Sequence, residues 1–98
     1  MTTWHNHSTD ELCRALLSLQ TQEECYAFLE DICTIKETLD ISQRLAVAAL
    51  LDEGESYADI REKTGASTAT ISRISKCYEY GTGGYKTIID RLKAEENQ

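Results

Sequence analysis

The chain has 98 residues, no proline, four cysteines and a formal net charge of −7. That length fits one domain, 1–98, with a core just large enough to fold alone, and that charge excludes a protein that is basic over its whole surface. No secretory leader and no apolar run long enough to span a membrane occur, so the expectation is a cytoplasmic protein with reduced thiols and no membrane partner.

Helical patterning runs almost throughout, which predicts an all-α fold. Residues 1–8 read as a flexible polar tail, with His5 and His7 flanking Trp4. Ser8 or Thr9 is the expected cap of a first helix, and Asp10 and Glu11 suit its positive end. Leu12, Ala15, Leu16 and Leu19 then recur at i, i+3, i+4, i+7, one apolar stripe. Thr21-Gln22-Glu23-Glu24 is a capping box for a second helix, whose stripe is Cys25, Phe28, Leu29 and Ile32. A second box, Thr34-Ile35-Lys36-Glu37, opens a longer helix that stops at Gly54. Every residue from Leu45 to Leu51 is apolar. A helix apolar all round is buried all round, so a second subunit is expected to cover the side that one small domain cannot.

Residues 56–78 read as a helix-turn-helix. Ser56 caps a short helix that ends at Gly65, where a left-handed residue is cheap only as glycine. Ser67 and Thr68 are good caps for a second helix only two residues on, the spacing of that motif. Ile60 points inward from the first helix, and Ile71, Ile74 and Tyr78 share one face of the second. The opposite face carries Ala69, Ser72, Arg73 and Lys76, with Thr68 and Thr70 near its N-terminal end. Spacing alone leaves open a plain helical hairpin with a solvated polar face. The Thr/Ser content of that face is unusual for one, because these residues are poor helix formers. Short hydroxyls, a small residue and nearby cations suit a helix that enters a DNA groove. Beyond it, Gly81-Thr82-Gly83-Gly84 reads as a connector, lacking the Gly-Lys-Ser/Thr ending of a phosphate loop. Tyr85, Ile88, Ile89 and Leu92 stripe a closing helix.

The charge is unevenly placed. Residues 1–55 carry a net −8, residues 56–98 a net +1, and residues 61–76 a net +3 from Arg61, Lys63, Arg73 and Lys76 against Glu62. An acidic body with a basic tip fits a small DNA reader. Cys13, Cys25, Cys33 and Cys77 form no C-x-x-C pair and lie on or beside apolar faces, which favours buried thiols and no metal. No paired-carboxylate, Ser/His/Asp or Cys/His arrangement stands at an informative spacing, so no catalytic residue, cofactor or enzyme activity is expected.

With these residues in place, a resemblance emerges. The stretch from Gly65 to Arg73, GASTATISR, resembles the turn and recognition-helix signature of the Trp repressor superfamily. EECYAFLEDICTIKE, SQRLAVAALL, TGASTATISR and YEYGTGGY are similar to its TrpR-related YerC/YecD group, over about Asp10 to Lys93. The resemblance implies an all-helical, intertwined homodimer that regulates transcription by binding double-stranded DNA. In the Trp repressor the bound indole lies between two arginines. Arg73 matches one, and the other falls on Gln43, beside Arg44. A pocket glycine falls on Ile74 and an amino-binding serine on Cys77. A β-branched side chain in place of that glycine argues against tryptophan as corepressor. An unknown small-molecule effector stays open, with Gln43, Arg44, Arg73 and Cys77 as its candidate contacts.

The expected DNA contacts are therefore Thr68, Ala69 and Ser72 toward bases, Thr70 toward base or backbone, and Arg73 toward guanine, phosphate or a ligand. Ser67 stands at the entering end of the helix. Arg61 and Lys76 are expected at phosphates, and Tyr57 either bonds a phosphate or packs under the turn. The alternative is a protein-interaction module on the same helical dimer scaffold, which the net charge of −7 favours.

Overall fold

The computed structural model describes residues 3–97, and these form six α-helices and no strand. They are α1 (His7–Ser18), α2 (Gln22–Ile32), α3 (Ile35–Asp52), α4 (Tyr57–Thr64), α5 (Thr68–Tyr80) and α6 (Gly84–Glu96). The all-α expectation holds. The chain divides into two compact units, 1–38 and 39–98.

In the first unit the helix starts are set by local hydrogen bonds. Asn6, rather than Ser8 or Thr9, caps α1: its side chain accepts from the Thr9 N–H at 2.9 Å, and Thr9 Oγ1 accepts from the Asn6 N–H at 2.8 Å. The helix therefore begins inside the segment expected as a tail, whose residues 1–2 lie outside the described part. Asn6 wins because Thr9 can return the bond, making a reciprocal box. Trp4 and His5 stack edge to face just before it, with ring centroids 4.1 Å apart. Thr21 caps α2 through the Glu24 N–H, but the Glu24 carboxylate reaches the N–H of Gln20 at 2.9 Å, one residue earlier than a regular box. The Thr34 and Glu37 box forms in full. No residue of α1 or α2 is buried, and Leu17 is 85 % exposed.

The second unit holds the core: Val47, Ala48, Ile60, Ala66, Ile71, Ile74 and Ile89. Leu45, Ala49, Leu50, Leu51, Tyr78 and Tyr85 pack against it. The apolar run of α3 is thus buried on one side: Val47 and Ala48 are sealed, whereas Ala46 is exposed. Full burial of an Ile or Val side chain stabilises by roughly 1.5–3 kcal/mol, so Ile60, Ile71 and Val47, each at 0 % exposure, anchor α4, α5 and α3. The cysteines differ from expectation. Cys13 and Cys77 are exposed, and Cys25 and Cys33 are half-buried. The apolar helical faces they flank are wider than the area the chain itself covers. Among the described residues no group of acids, histidines or cysteines is placed to hold a metal ion, and no helix is long and apolar enough to cross a membrane.

Candidate nucleic-acid interface

The candidate interface is built on α4 and α5, and local chemistry sets their relative placement. The Ser56 hydroxyl accepts from the Asp59 N–H at 3.2 Å and starts α4. Thr64 ends it with two bonds: Oγ1 donates to the Ile60 carbonyl at 2.7 Å and accepts from the Ala66 N–H at 3.2 Å. Gly65 takes φ +74°, and its N–H closes on the Arg61 carbonyl at 2.9 Å. A side chain there would meet open space, so glycine is needed for its backbone and not for room. Ala66 is buried at 4 % exposure beneath the turn. Ser67 then caps α5, accepting from the Thr70 N–H at 3.2 Å. Ile71 and Ile74 seat α5 on the core.

What this leaves outward is specific. Thr68, Ala69, Ser72, Arg73 and Lys76 are all exposed on α5, as are Tyr57 and Arg61 on α4. The first turn of α5 carries no acid, so no carboxylate of its own opposes an anion at the positive end of the helix dipole. Ser67 and Thr70 stand apart from that set. The Ser67 hydroxyl donates to Thr70 Oγ1 at 3.0 Å while capping the helix, and Thr70 is half-buried. Both hydroxyls are engaged in holding the helix start, a role that spacing did not separate from contact with bases. Tyr57 is 39 % exposed and has its ring partly outside the turn.

The basic residues sort into two groups. Lys63 pairs with Glu55 at 2.7 Å, which raises its pKa and ties α4 back to the α3–α4 loop. Lys86 and Lys93 are bound to Asp52. Arg61, Arg73 and Lys76 form no ion pair among the described residues. The cations left unpaired on α4 and α5 are thus the ones pointing away from the core.

Asp52 is the residue that sequence reasoning missed. It closes α3 with a side chain only 4 % exposed, and accepts from the Tyr78 hydroxyl, from Lys93 Nζ and, at 3.0 Å, from Lys86 Nζ. Lys86 also meets Asp90 at 3.1 Å. The bonds from Lys93, Tyr78 and Lys86 hold the Asp52 carboxyl far below the usual carboxylate range. The same contacts push the Tyr78 phenol and both lysines up. A signal was available: an acid at the C-terminal end of a helix opposes the dipole, which calls for cations close by.

Of the residues matched to the repressor's ligand pocket, Arg44 and Cys77 line one cavity, and Gln43 and Arg73 are not among its lining residues. Gln43 donates to the Thr64 carbonyl at 3.2 Å. Ile74 is in the core at 5 % exposure, and Arg73 points outward. The cavity of Arg44 and Cys77, of about 700 Å³, is also lined by Ile41, Leu45, Tyr85 and Ile88. Burial raises the Tyr85 phenol there, against the pull of Arg44.

Two short helices joined by a three-residue turn, with a sealed inner face and an acid-free outer start, have the layout of a helix-turn-helix. The chain belongs to the Trp repressor family: it matches the family described as Trp repressor protein over residues 7–93. It is 48 % identical over 89 residues to the uncharacterized protein YerC of Bacillus subtilis (strain 168), covering 91 % of this chain and 86 % of that protein. Among solved structures, a Trp repressor candidate from Staphylococcus aureus is 44 % identical with a TM-score of 0.88, covering 91 % of this chain and 89 % of the other. A TrpR-like protein from Eubacterium eligens ATCC 27750 is 49 % identical with a TM-score of 0.87, covering 90 % and 91 %.

Proposed function

We propose that this protein is a sequence-specific regulator of transcription that binds double-stranded DNA as a homodimer through α4 and α5. The observation that carries the reading is the outer face of α5. From Thr68 to Lys76 its exposed residues are hydroxyls, an alanine and unpaired cations, while its neighbouring lysines are tied to acids. α5 enters the major groove with its N-terminal end first. Thr68, Ala69 and Ser72 face base edges, Arg73 reaches guanine or phosphate, and Arg61, Lys76 and the Tyr57 hydroxyl hold phosphates. Ser67 and Thr70 contribute by fixing the helix start, and Thr70 retains an exposed part of its side chain for the backbone.

Dimerisation is supported by apolar side chains that the chain leaves uncovered, among them Leu16, Leu17, Ile35, Leu39 and Ile88. Two reading helices related by a two-fold axis match half-sites about 34 Å apart. Tryptophan is not the corepressor in this reading, because the Ile74 side chain occupies the core where the repressor has a glycine. An effector, if the protein uses one, would meet Arg44 and Cys77 in the cavity rather than Gln43 or Arg73.

Selection from a random double-stranded DNA pool tests the proposal. Enrichment of a palindrome is the expected result, and recovery of unenriched sequence overturns it. Sedimentation of the free protein tests the dimer, which a monomer at working concentration would exclude.

A further inference from the structure

The Asp52 cluster lies away from the outward face of α5, yet it holds that helix. Three elements converge on one carboxylate. Asp52 terminates α3, Tyr78 belongs to α5 two turns beyond Ser72, and Lys86 and Lys93 come from α6. Ile74 packs the same helix on the core one turn earlier. Apolar contacts are non-directional and permit a helix to roll or slide, whereas a hydroxyl bonded to a charged oxygen fixes both rotation and translation. The Tyr78 hydroxyl on Asp52 is a side-chain hydrogen bond that joins α5 to the end of α3.

From this arrangement we infer that Asp52 and Tyr78 are positioning residues for DNA recognition, setting the attitude of the reading helix from a site that does not touch DNA. The inference rests on the DNA-binding reading and deepens it. Lys86 and Lys93 neutralise the carboxylate so that it can stay out of water. The Tyr78 hydroxyl carries its position to α5. Sequence discrimination depends on that step because base-edge contacts require placement to a fraction of an ångström, while phosphate contacts through long side chains tolerate more.

The test compares Tyr78→Phe, Lys86→Gln and the wild-type protein on a selected DNA site and on a scrambled duplex, well below each protein's melting temperature. Tyr78→Phe keeps the ring in the core and removes the one bond to α5. It is expected to lower the ratio of specific to scrambled binding by roughly twofold to thirtyfold, the range for residues coupled to a binding site without ligand contact. Lys86→Gln leaves Tyr78 and Lys93 on Asp52. It is expected to lower the melting temperature and leave the ratio unchanged. An unchanged ratio in Tyr78→Phe overturns the inference, as does an equal fall in both variants, which would mark a stabilising role alone. Failure of the wild-type protein to discriminate the two duplexes would instead overturn the DNA-binding reading. Asp52→Ala, which removes the acceptor of the Tyr78 hydroxyl, serves as a second probe: a thermal transition that stays cooperative together with a reduced ratio supports positioning, and an unchanged ratio opposes it.

Discussion

The side-chain amide of Gln43 donates to the backbone carbonyl of Thr64 at 3.2 Å, joining the middle of α3 to the last residue of α4 across 21 positions of sequence. That carbonyl belongs to the end of a helix, where no intrahelical partner is available. Gln43→Ala should therefore cost about 1 kcal/mol, the usual penalty for leaving a part-buried acceptor unmatched. Chemical denaturation with an unchanged m-value would register it. Gln43→Glu should cost more, since it sets a carboxylate against a carbonyl oxygen.

Gly65 gives a separable backbone effect. Its φ of +74° and the open space around it mean that Gly65→Ala meets no collision. The expected loss is about 1 kcal/mol from the left-handed conformation alone. Gly65→Asn should lose less, because asparagine tolerates that region. Equal losses for the two variants in thermal melts would refute the backbone explanation.

The Asp52 network predicts a pH profile. The folded-state carboxyl titrates below its unfolded value, so its contribution is present above the unfolded pKa, about 4, and is lost as pH falls below that. Tyr78, Lys86 and Lys93 titrate above their unfolded values, so their contribution holds below about pH 10 and is lost as pH rises beyond it. Stability should be flat between these limits as far as this cluster acts. Asp52→Asn should lower the plateau and weaken both limbs, as read from melting temperature against pH.

DNA binding should separate charge from shape. With Arg61, Arg73 and Lys76 unpaired on each protomer, a dimer engaging all of them would show a slope of log K against log salt of about −5. Lys76→Ala should weaken all sequences alike and reduce the slope by about 1 for each phosphate contact removed. Ser72→Ala should leave the slope alone and relax preference at one base position in each half-site. Filter binding across a salt series distinguishes the two.

What the sequence made legible was local. Ser56, Gly65 and Ser67 mark boundaries within four residues of the bonds that set them, so the turn could be drawn from composition alone. The inward positions Ile60, Ile71 and Ile74 followed from helical periodicity. Long-range pairing was not legible. Asp52 finds its partners 26, 34 and 41 residues later, and no periodicity encodes that. The cysteines misled because an apolar stripe states which side avoids water but not how far the chain itself can cover it. The start of α1 was misread because Asn6, Ser8 and Thr9 all cap well singly. Only the reciprocal bond from Thr9 decides among them.

The placement of the Asp52 partners also imposes an order in time. A growing chain makes α4 and α5 before α6, so the reading helix exists while the carboxylate still lacks both lysines. Until Lys86 and Lys93 arrive, Asp52 keeps its water, and burying it would leave a charge unmatched. In the proposed reading, the helix that faces DNA is thus synthesised before the lysines that complete its anchor. A nascent chain halted before Lys86 would hold the whole binding surface without the part that aims it.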